Sequence, residues 1–167
     1  MNHLLLKKNV ISEQLVKYDY IFAEHGFSPA HQILTRLFRE MILAVQESLD
    51  QLEVEYVDHR MAKELGIKKA QQILNQLGAT KDNIIENKHG DVVLSRSFSA
   101  PLSSEALDYF KALQDLEELA AYRLLSGQQV KVEVFFVKTM SVYLNPEEEQ
   151  HFFERLDEVR MIYKVTI

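Results

Sequence analysis

Residues 58–77 are the part of the chain whose residue types and spacing most clearly indicate a function. Ala62 comes first, Gly66 lies between Leu65 and Ile67, and a polar run rich in lysine, glutamine and asparagine follows. A helix-turn-helix combines the same features: a small residue, a glycine at the turn and a polar second helix. The segment therefore predicts a supporting helix from Asp58 to Leu65, a turn at Gly66 and a second helix that contacts DNA.

Six polar side chains of that second helix are the expected DNA-binding residues. Lysine suits phosphate oxygens, while glutamine and asparagine can each form two hydrogen bonds with adenine. The expected contacts are Lys68, Lys69, Gln71, Gln72, Asn75 and Gln76. The alternative is an amphipathic helical hairpin with a solvent-exposed polar face. It stays open because the position that a helix-turn-helix usually buries falls on Gln72, one residue before Ile73.

Four titratable residues near predicted helix ends carry a different hypothesis, a small enzyme or ligand-binding domain. They are His25, His31, Asp58 and His59, which would line a pocket between two halves of the chain. No HExxH or similar ligand spacing accompanies them, so no metal site is predicted.

Motifs for other chemistry are missing from the sequence. The chain has no cysteine, which removes disulfides and thiolate ligands, and its 5 glycines form no phosphate-binding loop. No G-x-S-x-G or S-x-x-K pattern occurs around its serines. The sequence therefore favours a non-catalytic regulatory or interaction protein without a cofactor, and leaves the enzyme as the alternative.

The charge distribution limits how such a protein could bind nucleic acid. Lysine and arginine total 19 against 25 acidic residues, a net charge of −6, which argues against binding by bulk charge. Residues 58–98 are the exception, with 7 basic and 5 acidic side chains. The apolar run Leu4 to Leu6 is too short for a signal peptide, and charges interrupt every longer one. We therefore expect a cytoplasmic protein that does not contact a membrane.

The first half of the chain, residues 1–78, is expected to be mainly helical. Ser12 and Gly26 would bound one helix, and Ser28-Pro29 would begin a longer one. Apolar residues recur at helical spacing from Leu34 to Leu52 and predict a single stripe. Because this stripe is long, we expect a homodimer through this helix or through an exposed sheet edge.

The second half, residues 79–167, is expected to be a ferredoxin-like region. The pattern predicts a hairpin over 83–98, a helix from Ser103 or Ser104 to Gly127, and strands at 130–137 and 141–144. A helix beginning at Asn145-Pro146 and a strand over 161–167 complete a β-α-β-β-α-β order. The predicted fold class is therefore α+β, with both regions in one compact unit.

Overall fold

In the part of the chain that the structure describes, nine strands form one mixed sheet, which is the scaffold of the protein. The computed structural model describes residues 3–22, 31–136 and 138–167. The strands are β1 (Leu4–Ser12), β2 (Leu15–Ile21), β3 (Gln51–Tyr56), β4 (Ile85–His89), β5 (Val92–Pro101), β6 (Ala121–Ser126), β7 (Gln129–Phe135), β8 (Thr139–Leu144) and β9 (Tyr163–Thr166). Their order across the sheet is β4-β5-β3-β6-β7-β8-β2-β1-β9. All neighbours are antiparallel except β1 and β9, which run parallel.

Five α-helices accompany the sheet in the described part of the chain. They are α1 (His31–Val45), α2 (Asp58–Leu65), α3 (Ile67–Gln76), α4 (Ser104–Lys111) and α5 (Pro146–Glu158). The caps predicted for the last two are confirmed: Ser103 accepts a hydrogen bond from the Ala106 amide, and Asn145 accepts one from the Glu148 amide. β9 runs parallel to its neighbour β1, and a parallel strand can be reached only through a crossover connection. α5, which directly precedes β9 in the chain, supplies that connection.

The two faces of the sheet differ in what covers them. In β3, Leu52, Val54 and Tyr56 are buried and alternate with Gln51, Glu53 and Glu55. The buried set faces the helices: Tyr122, which pairs with Val54 across the sheet, contacts the rings of Phe38 in α1 and Phe110 in α4. We call the opposite face, which carries Glu53 and Glu55, the open face, since none of the five described helices lies on it.

The long amphipathic helix that the sequence predicts ends earlier than expected. The apolar stripe of α1 is buried from Leu34 to Val45, but a 3₁₀ turn over Gln46–Ser48 follows, and Leu52 belongs to β3. Leu52, Val54 and Tyr56 alternate every second residue, which suits a strand with one buried face. The apolar stripe of α1 is therefore buried in the core of the same chain.

The predicted helical N-terminal half is wrong. The chain begins with the hairpin β1–β2, and residues 15–21, expected in a helix, form β2 between β1 and β8. Tyr18 and Tyr20 are buried on one face, while Asp19 lies between them on the other. Pairing with two neighbouring strands favours the β-forming valine, tyrosine and isoleucine side chains of this segment and outweighs its weak helical spacing.

The ferredoxin-like prediction is also wrong, because the helix expected to reach Gly127 ends at Lys111. Asp115 accepts a hydrogen bond from the Glu117 amide and caps a short 3₁₀ turn over Leu116–Glu118. Tyr122 and Leu124, whose spacing resembles a continued helix, instead face the core from β6. Residues 85–166 therefore follow the order β-β-α-β-β-β-α-β and share one sheet with β1, β2 and β3.

Candidate binding surfaces

Gly66 joins α2 to α3 without any further linking residue. Its amide donates to the Ala62 carbonyl at the end of α2, and its carbonyl accepts from the Ala70 amide at the start of α3. Its φ of 85° and ψ of 151° lie in a region that is essentially restricted to glycine. Apart from its chain neighbours, no described residue has an atom within 4 Å of the position a Cβ would take, so the backbone conformation alone requires glycine here.

A narrow apolar stripe and three polar contacts hold this helix pair against the rest of the protein. Met61, Ala70, Ile73 and Leu77 are the buried residues. Asp58, at the start of α2, forms an ion pair with Arg96 of β5. The Gln76 side chain donates to the Glu105 carbonyl at 2.9 Å, and Arg60 lies 3.3 Å from Glu117. These contacts place α2 and α3 on the helix-covered face, beside the β4 end of the sheet.

The rest of α3 is exposed to solvent. All six residues predicted to contact DNA are exposed: Lys68, Lys69, Gln71, Gln72, Asn75 and Gln76. Gln72 is exposed while Ile73 is buried, so the buried position lies one residue later than in a usual helix-turn-helix. Apart from Gln76, these side chains form no hydrogen bond or ion pair with any residue that the structure describes. Residues 58–76 carry four basic and two acidic side chains, in a chain whose net charge is −6.

The four residues of the predicted pocket are not seen to converge. His25 lies outside the described residues, and of His31 only the backbone is described, at the start of α1. Asp58 and His59 are exposed in the first turn of α2, where Asp58 is bound to Arg96 rather than to an imidazole. Within the described ranges, no three His, Asp or Glu side chains are placed to share a metal ion.

A second polar surface, which sequence reasoning missed, occupies the open face. At the β4 end, the Asn87 side chain donates to the Ser95 hydroxyl at 2.9 Å, and that hydroxyl donates to Glu55 at 2.6 Å. In the middle of the sheet, Arg123 lies 3.5 Å from Glu53 and 3.1 Å from Glu133. Polar side chains on neighbouring strands are thus joined in pairs across the sheet.

The polar pairing continues to the other side of the open face through Asp19. The Tyr143 hydroxyl donates to Glu133 at 3.3 Å. Asp19 accepts hydrogen bonds from Ser141 at 2.5 Å and Asn9 at 2.8 Å, and Lys17 lies 3.3 Å from it. Asp19 is only 9% exposed and Ser141 1%, so these groups have been removed from water and bonded to each other.

Two pKa shifts reflect this close packing of charges. Burial disfavours the Lys17 ammonium, but attraction to Asp19 and Tyr143 prevails and raises the pKa of Lys17 above its ordinary value. Burial and the neighbouring Glu133 carboxylate raise the pKa of the Tyr143 phenol, although Lys17 acts in the opposite direction. Both shifts preserve the forms that hold the network together, a charged lysine and a neutral tyrosine.

A groove of about 380 Å³ lies over part of the open face. Its charged lining residues are Glu53, Glu55, Glu133 and Arg123, and Ile85 and Phe135 supply its large exposed apolar side chains. Three carboxylates against one guanidinium give it an excess of negative charge. The sequence contained a signal for it, since glutamates alternate with buried residues in both QLEVEY and VKVEVF.

Comparisons of this chain with protein-family models, with curated proteins and with solved structures find no match. Among the helices that the structure describes, none has the length and apolar character needed to cross a membrane.

Proposed function

We propose that this protein is a non-catalytic regulatory or interaction protein that binds DNA through the exposed side of α3. The proposal rests on the exposure of the polar side chains of α3 and on their lack of bonds to other described residues. Lys68, Lys69, Gln71, Gln72 and Asn75 are exposed on one short helix and are not bonded to other described residues. They can therefore meet a ligand without first breaking contacts within the protein.

The types of these side chains suit a duplex. Two adjacent lysines supply phosphate contacts that depend little on sequence, and glutamine and asparagine supply groups that pair with adenine. Only one narrow stripe of α3 is needed for packing, so the helix can lie against a groove while Ala70 and Ile73 stay buried. We also propose that the protein is cytoplasmic. The chain has no cysteine, so it has no disulfide that the reducing conditions of the cytoplasm could break.

The net charge of −6 sets the expected strength of binding. Most of the surface repels a phosphate backbone, so the basic surface of α2 and α3 must act locally and affinity must depend strongly on salt. We expect weak binding to mixed-sequence duplex, in the micromolar range at low salt and about 100-fold weaker at physiological salt.

Fluorescence anisotropy with labelled mixed-sequence duplex tests the proposal. The double variant Lys68→Gln/Lys69→Gln should weaken binding and reduce the slope of log affinity against log salt by about two. The matched control is Lys7→Gln/Lys164→Gln, which removes the same charge from exposed residues of β1 and β9 at the far end of the sheet. Equal losses in the two variants, or no binding by the unmodified chain at low salt, would refute DNA binding through α3.

The second candidate function is the binding of a small cationic ligand in the groove of the open face. The groove's volume of about 380 Å³ favours it, since small-molecule sites fall in the range of about 300–1,000 Å³. A polyamine such as spermidine is a suitable probe for a groove with excess carboxylate. Calorimetric titration should show binding that Glu53→Gln/Glu55→Gln removes and Lys68→Gln/Lys69→Gln leaves unchanged. Absence of heat with the unmodified chain would dismiss this candidate.

A further inference from the structure

We propose that two copies of this chain join through β4, pairing antiparallel about a two-fold axis at Asn87 to form one continuous sheet. The inference does not rest on DNA binding, since α3 takes no part in the pairing. It rests on the free edge of β4, on the charge pattern of that strand and on the exposed apolar residues beside it.

The edge of β4 is available for pairing. β4 is the terminal strand of the sheet and pairs only with β5 among the described strands. A terminal strand presents unpaired amide and carbonyl groups along its outer side, which makes it a template for another strand. The register shift in the hairpin places its additional residue, Leu94, on β5, so the backbone of β4 itself is regular over its five residues.

The sequence of β4, Ile-Glu-Asn-Lys-His, is complementary to itself in antiparallel pairing. With Asn87 opposite Asn87 of a second copy, Glu86 lies opposite Lys88 and Lys88 opposite Glu86. Directly opposed residues of antiparallel strands are close enough for such opposite charges to attract. The side chains of Glu86 and Lys88 are 41% and 52% exposed and lie 3.3 Å apart, and Glu86 also lies 3.8 Å from Arg96. Because both side chains are exposed, they can turn from these contacts toward the second copy.

Exposed apolar residues also lie at this edge, as they do at the β9 edge, where Ile162 and Val165 are 48% and 37% exposed. Ile85 is 64% exposed, and Val92 and Leu94 of the adjoining strand are 63% and 58% exposed. Pairing about Asn87 places Ile85 in one row with His89 and Val92 of the second copy, on the same face of the joined sheet. Burial of this apolar surface would add to the hydrogen bonds of the new strand pair.

The other terminal strand lacks this complementarity. β9 reads Tyr-Lys-Val-Thr and carries one lysine and no acidic residue. Antiparallel pairing of β9 with itself sets Lys164 against either another lysine or an uncharged residue. The charge pattern therefore selects β4 over β9 as the edge that meets a second copy.

Sedimentation velocity on charge-reversed variants tests the proposal. The unmodified chain should reach a mass of twice 19.4 kDa as its concentration rises. Glu86→Lys places lysine opposite lysine and Lys88→Glu places glutamate opposite glutamate, so each variant alone should remain monomeric. An equimolar mixture of the two should form a heterodimer, because both opposed pairs then become complementary. The double variant Glu86→Lys/Lys88→Glu should dimerise like the unmodified chain.

Circular dichroism melts establish that each variant is folded before its sedimentation is interpreted. Lys164→Glu on β9 is the matched control and should leave dimerisation unchanged. A dimer that survives both single reversals, or that only Lys164→Glu disrupts, would overturn the proposal. So would an unmodified chain that stays monomeric throughout the concentration series, or single variants that do not associate when mixed.

Discussion

The open face of the sheet and the exposed side of α3 are both polar surfaces, but their side chains are used differently. On the open face, Arg123 lies between two glutamates, and Asp19 receives two hydrogen bonds and a lysine. On α3, Lys68 and Lys69 are exposed and contact none of the described polar groups. Density of polar residues therefore does not identify a binding surface by itself, because on the open face many of these side chains are bonded to one another.

The energetic consequences of this contrast follow from burial. A buried group that loses its hydrogen-bond partner costs about 1–3 kcal/mol, whereas substitutions of exposed side chains usually change stability by less than about 0.5 kcal/mol. Substitutions of the buried Asp19 or Ser141 on the open face should therefore reduce the free energy of unfolding, and those on α3 should change binding while stability stays nearly constant.

The largest expected effect is a loss of stability at alkaline pH, which arises from buried tyrosines in the strands of the sheet and not from α3. Burial raises the pKa of Tyr20 to about 12, and the pKa of Tyr122, buried beside Asp115 and Glu118, lies well above its ordinary value of 10. Both phenols stay protonated in the folded chain at a pH where they ionise in the unfolded chain. The stability that these phenols contribute is therefore fully present below pH 10, where both also stay neutral in the unfolded chain, and is lost as pH rises from 10 toward about 12.

Urea unfolding over an alkaline pH series measures this loss. Because residues 58–77 contain no tyrosine, phenol ionisation does not act on α2 and α3 directly. These helices should therefore lose structure only when the whole chain unfolds. Stability that stayed constant up to about pH 12 would mean that these phenols are not held in their neutral form.

The next largest effect is expected from Asp19→Ala on the open face. The change leaves Ser141, Asn9 and Lys17 without the carboxylate that they share, in a region where Asp19 is 9% exposed. We expect a loss of about 2–3 kcal/mol in the free energy of unfolding. The comparison variant Lys68→Gln/Lys69→Gln should lose less than about 0.5 kcal/mol. Similar losses in both, measured by urea unfolding, would remove the distinction between the two surfaces.

A smaller loss of stability, with a marked loss of binding, is expected from Gly66→Ala. The conformation of Gly66, with φ 85° and ψ 151°, costs about 1–3 kcal/mol for any residue with a Cβ. Relief of that strain would rotate α3 relative to α2 and displace Lys68 and Lys69, so the affinity for duplex DNA should fall.

Gly90→Ala is the control for the Gly66 variant, because Gly90 also has a positive φ, 61°, but lies in the turn between β4 and β5. It should reduce stability and leave the affinity for DNA unchanged. Anisotropy titrations showing unchanged affinity for Gly66→Ala would indicate that the joint between α2 and α3 has no part in binding.

The sequence predicted best the elements whose signals are local. Gly66 between two helices, the Ser103 and Asn145 caps and the hairpin around Gly90 each depend on a few neighbouring residues, and the structure contains all of them. β2 and β6 were missed because strand pairing at long range decides them. The leucines around β6 continue the spacing of α4, and only the turn capped by Asp115 separates the two elements.

The polar network of the open face could not be predicted for a related reason. Glu55 meets Ser95, and Asp19 meets Ser141, only because the order of strands brings β3 beside β5 and β2 beside β8. Glu53, Glu55 and Glu133 were visible as polar residues in alternating patterns, but their partners depend on register. The polar surface of α3, in contrast, comes from one continuous segment, and its exposure could be predicted from the residue types of that segment.

The most direct test of this account is a nuclear magnetic resonance titration of the isotope-labelled chain with mixed-sequence duplex DNA at low salt. Backbone amide shifts should be concentrated in residues 66–77 and should be absent at Glu53, Arg123, Glu133 and Tyr143 on the open face. Shifts concentrated on the open face, or no shifts at all, would contradict the claim that the side chains left unpaired on α3 form the binding surface.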